Sequence, residues 1–227
     1  YEFWQSTMTV LFPDRDFTNR EAVDFALDEL VPPDGMFIAR YDPDPSYVGM
    51  SLAQIAEARG EDAATTYMAL IAESQAMEED TGRGTESIIA RSMDPADIAT
   101  LLAWPHTNVS SDGSLAGRHP RGFGSFTRVL RQHVREEQHL SLPSAIHKMT
   151  ALSAQHVGIV DRGAIRVGAY ADLVLFDPET VADRATPDDP NAPSVGIERV
   201  WVNGVLGYEN GHVTDARSGR VIRRNDR

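Results

Sequence analysis

Apolar residues recur at helical spacing through much of the first third of the chain. A helix is predicted to begin at Thr18, which forms a capping box with Glu21, and to end before Pro32. A strand is predicted over residues 36–41, and two further helices are predicted between residues 51 and 76, the first of which begins with a capping box of Ser51 and Gln54. This part of the chain is therefore expected to be mainly helical.

The middle of the chain alternates short extended stretches with helical ones. Strands are predicted over residues 87–93 and 107–111, and Asp94 with Pro95 is expected to begin the helix between them. Apolar residues between 126 and 134 mark a further α-helix, and a later one is expected from Ser141 to about residue 155. Such alternation is typical of βα units, whose strands pair in parallel.

Beyond residue 157 the pattern changes to that of a β domain. Residues 172–176 alternate as in a strand, and the following proline-containing stretch is expected to be a loop. Asn203-Gly204 and Asn210-Gly211 each favour a two-residue hairpin between extended segments. The end of the chain is therefore predicted to consist of short antiparallel strands.

Composition excludes several classes of protein. With 21 basic and 34 acidic residues among 227, the net charge is −13, which repels nucleic acid and anionic lipid. The absence of cysteine excludes disulfides and thiolate ligands, and no run approaches the roughly 18 apolar residues of a membrane span. Because the start at Tyr1 shows no signal peptide, we expect a cytoplasmic protein, of which this chain is a fragment.

Asp112 is the first candidate for catalysis. It follows the predicted strand over residues 107–111 and precedes Gly113, and α/β barrels place their catalytic groups at such strand ends. An aspartate that only begins a turn fits the same local sequence. Both interpretations stay open on these residues alone.

The loop over residues 117–124 is the second candidate, because it carries two arginines and a histidine among glycines and a proline. A guanidinium binds a carboxylate through two parallel hydrogen bonds, a geometry that lysine cannot reproduce. In an acidic protein, such a loop would hold an anionic substrate against the overall field. A solvated basic loop is the alternative.

Metal-binding patterns are incomplete in this sequence. A zinc centre takes three or four protein ligands, and the chain has neither an HxH pair nor an HExxH motif, so Asp112 alone is not expected to retain an ion. His133 is predicted to lie on the polar face of its helix, and both it and His106 are predicted to be structural. The chain also lacks a phosphate-binding glycine loop and the G-x-S-x-G elbow of serine hydrolases.

Several motifs together resemble one enzyme family. Residues 111–113, SDG, followed by residues 119–130, HPRGFGSFTRVL, resemble the segment at the last barrel strand of D-aminoacylases and related N-acyl-D-amino-acid deacylases. The similarity continues through residues 148–150, 161–163 and 171–178. The wider group that shares part of the closing segment is the amidohydrolase superfamily.

The resemblance implies an α/β fold, namely the C-terminal part of a metal-dependent (β/α)8 TIM barrel with a small inserted segment, followed by a small β-sandwich domain. Residues 1–85 would be the inserted segment, residues 86–156 the last βα units, and residues 157–227 the β-sandwich. The N-terminal half of the barrel is the expected partner of this chain, and the oligomeric state stays open.

The resemblance also implies a chemistry, the zinc-dependent hydrolysis of the N-acyl amide bond of N-acyl-D-amino acids. Asp112 matches an aspartate that binds or adjoins the metal and transfers the proton of the attacking water. Arg121 matches an arginine that holds the α-carboxylate of the substrate, Ser6 matches a serine that contacts the same carboxylate, and His119 is expected to line the pocket. The remaining zinc ligands are expected upstream, so the isolated chain is expected to be inactive.

Two alternatives remain at this point. A cyclic-amide hydrolase of the hydantoinase or dihydroorotase type shares the closing β-domain segment, but it would not need the carboxylate-binding loop that contains Arg121. The alternative outside the enzymes is a noncatalytic module, a β-rich remnant that has lost its chemistry.

Overall fold

The computed structural model describes residues 17–114, 117 and 119–224 of the chain. Ser6, which was predicted to contact the substrate, lies outside the described residues. No helix in the described part is long and apolar enough to cross a membrane. The chain divides into two compact units, the first comprising Tyr1–Met93, Gly113–Gly122 and Thr186–Asn191, and the second comprising Asp94–Asp112, Phe123–Ala185 and Ala192–Arg227.

Helices packed with a pair of strands form the described part of the first unit. The helices are α1 (Arg20–Glu29), α2 (Leu52–Arg59) and α3 (Ala63–Thr81), the strands are β1 (Met36–Tyr41) and β2 (Glu86–Ala90), and short 3-10 turns cover Pro33–Gly35 and Pro45–Tyr47. Every one of these elements except the short turns contributes buried apolar side chains to one core. The core includes Val23, Leu27, Ile38, Tyr41, Leu52, Ile55, Tyr67, Leu70 and Ile88.

The helices of the first unit begin and end at local signals. Ser51 accepts from the backbone N–H of Gln54 at 3.2 Å, and the Gln54 side chain accepts from the N–H of Ser51 at 2.8 Å, which confirms the predicted capping box. Gly60 ends α2 with a φ of 68°. At α1 the cap is Asn19 and not Thr18, because asparagine is the stronger cap of these two neighbours.

β1 and β2 pair antiparallel, with Met36 opposite Ala90 and Tyr41 opposite Glu86. The prediction that the second of these strands belongs to a parallel βα unit was therefore wrong. The spacing of apolar residues reports which side chains are buried, and it carries no information on the direction of the neighbouring strand.

The second unit contains helices followed by a sheet. Its elements are α4 (Pro95–Ala103), α5 (Arg121–Arg128, whose first two residues belong to the first unit), a π-helix (Val129–Glu136), α6 (Leu142–Met149), α7 (Ala151–Val157), β3 (Leu173–Phe176), β4 (Ile197–Val202), β5 (Val205–Glu209) and β6 (His212–Val213). The start of α4 at Asp94 and Pro95 is as predicted.

Two predicted elements of this unit differ from the structure. Residues 107–111 form no strand. The helix predicted from Ser141 to residue 155 is divided at Thr150, whose φ and ψ are −128° and −90°. Because the Thr150 hydroxyl donates to the Ile146 carbonyl at 2.6 Å, a local side-chain bond replaces regular helix geometry there.

The sheet joins β3, β4, β5 and β6 in chain order, each antiparallel to the next. Asn203 and Gly204 have φ of 52° and 81°, and Asn210 and Gly211 have φ of 47° and 91°. Positive φ at both central residues is what a type I′ turn requires. Both predicted hairpins are therefore confirmed.

α5 continues into a π-helix where the sequence predicted only α-helix. The backbone N–H of Glu137 donates to the Gln132 carbonyl, five residues earlier, at 2.8 Å. The ion pair of Arg131 with Glu136, at 2.7 Å, also joins residues five apart. Such wide turns are rare and frequently mark functional sites.

Asp183 fastens a long loop to α5 and the π-helix. Its side chain is 3% exposed and accepts from Arg128 at 2.8 Å and from Arg131 at 2.6 Å. Burial by itself raises the pKa of Asp183, but the hydrogen bonds from Arg131 and Arg128 outweigh burial, and the pKa lies below its ordinary value. Gly124 allows this approach, because a Cβ there would lie 3.0 Å from the Asp183 Cβ.

Candidate active site

Asp112 is exposed and lies in irregular backbone at the end of a segment of the second unit. Its φ of 47° is in the left-handed region, which aspartate and asparagine adopt more readily than other residues with a Cβ. The position of the carboxylate is therefore set by this backbone conformation, and no strand precedes it as was predicted. This geometry suits both an acid–base group and a turn residue, so the catalytic role of Asp112 stays a prediction.

Lys148 of α6 fixes the segment that leads to Asp112. Its side chain is buried, and its Nζ donates to the carbonyl oxygen of Thr107 at 2.9 Å and to that of Trp104. Burial lowers the pKa of Lys148. The Lys148 carbonyl in turn accepts from the N–H of Val109 at 3.4 Å. Sequence reasoning gave Lys148 no structural role, because its partners are backbone carbonyls that leave no mark in the residue pattern.

His119 accepts two hydrogen bonds from the first turn of α5. Its Nδ1 accepts from the backbone N–H of Arg121 at 3.1 Å, and its carbonyl accepts from the N–H of Gly122 at 3.0 Å. An accepting Nδ1 carries no proton, so the neutral ring has its proton on Nε2. The structure thus brings His119 and Arg121 together, with the imidazole acting on the first turn of the helix.

The backbone after Asp112 returns to the same helix start. A Cβ added to Gly122 would lie 3.6 Å from the Gly113 Cα and 3.6 Å from the Ser114 carbonyl oxygen. A Cβ at this position would make only ordinary van der Waals contact, so the two backbone segments lie beside each other without needing a glycine there. Residues 113–114 and 119–122 meet in the first unit.

Arg121 is the first residue of α5, and its side chain is partly buried. The N-terminus of a helix carries a partial positive charge, which adds to that of a guanidinium placed there and favours a negatively charged ligand. This position agrees with the chemistry that was predicted for Arg121. Its contact with a substrate carboxylate stays a prediction.

A different set of possible metal ligands converges in the second unit. His133, Glu137 and His139 place three ligand atoms close together, and they are the one such group among the described residues. His133 is 9% exposed, so its predicted place on a polar helix face was wrong, since the π-helix changes which side chains face the core. Burial also lowers the pKa of His133.

Asp112 is not a member of this group. Within the part of the chain that the structure describes, no further ligands accompany Asp112 in a set of three. A zinc centre needs three or four protein ligands. The described residues alone therefore do not fit a complete zinc site at Asp112.

Comparison with known proteins decides the family. Residues 45–208 match the Amidohydrolase family. The chain belongs to this family. Its resemblance to N-acyl-D-amino-acid deacylases is confirmed by the individual relatives of this amidohydrolase chain.

All three of these relatives come from Alcaligenes xylosoxydans xylosoxydans. The amidohydrolase chain is 47% identical over 132 residues to an N-acyl-D-aspartate deacylase and 41% identical over 184 residues to an N-acyl-D-glutamate deacylase. The alignments cover 57% and 80% of the chain, but 26% and 35% of these relatives. The chain therefore spans about a third or less of the length of the curated relatives it matches.

A solved structure shows the same similarity. N-acyl-D-glutamate deacylase from Bordetella bronchiseptica, complexed with zinc and a phosphonate inhibitor that mimics the tetrahedral intermediate, matches this amidohydrolase chain with a TM-score of 0.71 and 37% identity. The match covers 88% of the chain and 39% of that protein. The helices and strands described above thus form part of an amidohydrolase-type fold.

One signal in the sequence was missed. His133, Glu137 and His139 have the spacing H-x3-E-x-H, which differs from the HxH and HExxH patterns of known zinc sites. Residues four apart are neighbours on a regular helix, but residues six apart are not. The turn at Gln138, whose φ is 56°, brings His139 back to His133.

Proposed function

We propose that this chain is the C-terminal part of a zinc-dependent hydrolase that cleaves the N-acyl amide bond of N-acyl-D-amino acids. The observation that carries the proposal is the 41% identity to an N-acyl-D-glutamate deacylase over 80% of the chain. Because the chain spans 35% of that relative, the activity belongs to the full-length protein, and we expect the 227-residue chain by itself to be inactive.

The finer architecture is part of the same proposal. The helical segments of the second unit would be the last part of a (β/α)8 barrel, and β3 to β6 would belong to a β-sandwich completed by other residues of the full-length protein. Exposed apolar side chains support this, since Val174 is 55% exposed and Val205 is 46% exposed. Large apolar side chains exposed on a sheet are what a surface covered by further residues would show.

Asp112 is proposed as the group that accepts the proton of the attacking water and returns it to the leaving amine. A carboxylate placed beside the water can accept its proton and pass it to the leaving group, which is general acid–base catalysis. Its exposed position in a defined left-handed backbone conformation, with Lys148 holding the preceding segment, supports this role.

Arg121 is proposed to bind the α-carboxylate of the substrate, with His119 shaping the helix start that presents it. The partial positive charge at the N-terminus of α5 strengthens the attraction. Ser6 is proposed as a second contact to the carboxylate. Two hydrogen bonds from a planar guanidinium would fix the orientation of the substrate as well as its charge.

The test compares acid and amide substrates with the full-length protein. Arg121→Ala is expected to lose about 2 to 5 kcal/mol in kcat/KM for an N-acyl-D-amino acid, because the substrate charge is then buried without a partner. Arg121→Lys should recover only part of the loss, since an ammonium lacks the planar geometry. The Ala variant should lose far less against the corresponding N-acyl-amino-acid amide, which has no carboxylate.

Arg20→Ala is the matched control, because Arg20 lies in an exposed ion pair with Asp24 in α1. It should leave the preference for the acid unchanged. If acid and amide lose the same factor in Arg121→Ala, the residue acts through the structure of the loop, and its proposed role is incorrect. If neither substrate is hydrolysed by the wild type, the proposed function itself fails.

A further inference from the structure

The cluster of His133, Glu137 and His139 lies where the π-helix of the second unit ends. The two imidazole Nδ1 atoms are 3.2 Å apart, and the Glu137 Oε2 lies 3.2 Å from each of them. The three atoms therefore form a triangle with equal sides. The rings of the two histidines are tilted by 30° to each other, with centroids 5.5 Å apart.

This triangle has the dimensions of one face of a tetrahedral metal site. A zinc ion with bonds of about 2.0 to 2.1 Å separates its ligand atoms by about 3.3 to 3.4 Å. The observed 3.2 Å differs from that by a small side-chain adjustment. An ion above the triangle would bind all three atoms and leave a fourth position open.

Hydrogen bonding alone cannot satisfy the same three contacts. Each contact needs one atom that donates and one that accepts, but an imidazole nitrogen either donates or accepts and a carboxylate oxygen only accepts. In a ring of three such atoms, two neighbours must therefore have the same role. One side of the triangle therefore brings together either two hydrogens or two lone pairs. A cation removes this conflict because it accepts a lone pair from each atom, so the arrangement fits a metal better than it fits a proton.

The backbone holds the ligands in place. The N–H of Leu140 donates to the His133 carbonyl at 3.1 Å, and Leu140 is buried in the core of the second unit. Between them, Gln138 has a φ of 56°, which turns the chain back over the end of the helix. His139 thus faces His133 because the chain on either side is fixed, and such preorganisation reduces the cost of binding.

One of the three ligand side chains is nearly buried and the other two are partly exposed. The side chain of His133 is 11% exposed, whereas those of Glu137 and His139 are 38% and 36% exposed. One ligand is thus anchored in the core, and the other two are reached by solvent. An ion can enter from solution, and water can take the fourth position.

We propose that His133, Glu137 and His139 bind one divalent transition-metal ion, of the zinc class that prefers imidazole and carboxylate ligands. The ion links the π-helix to the turn that follows it and stabilises the second unit, since an ion that binds only the folded state adds to its free energy of unfolding. This site goes beyond the proposed hydrolysis and does not involve Asp112 or Arg121.

The test uses the untagged full-length protein, stripped of metal and reconstituted with Zn²⁺. His139→Ala and Glu137→Gln alter partly exposed side chains, and His156→Ala, an exposed histidine outside the cluster, is the matched control. Metal analysis should show one zinc equivalent per chain fewer in both cluster variants than in the wild type and the control. The Tm rise that added Zn²⁺ produces should shrink in the same two variants.

The two cluster variants keep the test interpretable. Circular dichroism of each variant confirms that it is folded before metal is counted. If both folded variants bind as many zinc equivalents as the wild type and show the same zinc-dependent Tm, the cluster is not a metal site. Because zinc counting does not depend on hydrolysis, failure of the proposed function would leave this result unchanged.

Discussion

Asp112 shows how a single backbone angle limits which side chains a position accepts. Its φ of 47° is unfavourable for most residues with a Cβ, and the left-handed conformation costs about 1 to 2 kcal/mol for them. Asparagine shares the tolerance of aspartate for this region, whereas alanine does not. Substitutions at Asp112 can therefore separate loss of the carboxylate from loss of the turn.

Asp112→Asn in the full-length protein is expected to lower kcat by at least on the order of 10²-fold, because proton transfer contributes about 10² to 10⁴. Its Tm should match that of the wild type. Asp112→Ala should lose the same activity and also unfold at a lower urea concentration. If the Asn variant retains most of its activity, Asp112 is a turn residue and takes no part in the reaction.

At the scale of elements, the buried carboxylate of Asp183 joins its loop to α5 and the π-helix. The pKa of Asp183 is lowered in the folded state, so folding favours the ionised form. The resulting stabilisation is fully present above the unfolded pKa of about 3.9 and is lost as the pH falls through the lower folded pKa.

Asp183→Asn is expected to reduce the free energy of unfolding by about 1.5 to 3 kcal/mol at pH 7, the range for hydrogen bonds to charged groups. The difference from the wild type should begin to shrink as the pH falls below about 3.9 toward 3, because the unfolded wild-type chain then takes up a proton on this carboxylate before the folded chain does. Urea unfolding at both pH values measures this. Asp215→Asn, an exposed aspartate, should show no such loss, and an equal loss at both pH values would contradict the argument.

α6 and the segment before Asp112 are joined through one buried amine. Lys148→Met removes the donor and leaves the carbonyls of Trp104 and Thr107 without it, so the free energy of unfolding should fall by about 1 to 3 kcal/mol. In the full-length protein kcat should fall while KM changes little, because the segment positions Asp112 and not the substrate. Unchanged stability and kcat would show that Lys148 does not hold the segment.

The elements that could be predicted from the sequence are those with local causes. The capping box of Ser51 and the hairpin at Asn203-Gly204 depend on residues at most three positions apart, so short patterns identify them. The antiparallel partner of β2 and the division of a helix at Thr150 depend on tertiary packing and on one side-chain hydrogen bond. The spacing of apolar residues predicts neither the strand partner nor the break in the helix.

For the whole molecule, the family could be identified from motifs while the site could be identified only in part. The segment HPRGFGSFTRVL led to the correct family, and the structure places His119 and Arg121 together at one helix start. The cluster around His133 was missed because its geometry depends on the π-helix and on the turn at Gln138, and no sequence pattern predicts either of them. The roles of Asp112 and Arg121 await the kinetic tests above.

The first unit has one further property, which concerns how the protein is made. Residues 186–191 belong to it although most of the unit ends at Met93, and Gly49 lies beside Asp188, where an added Cβ would be 2.6 Å from the Asp188 Oδ1. At about 5 to 20 residues per second, a ribosome adds Asp188 on the order of ten seconds after Gly49. During that interval the emerging first unit lacks residues 186–191. The surface that these residues cover therefore stays accessible to other proteins until synthesis has passed Asn191.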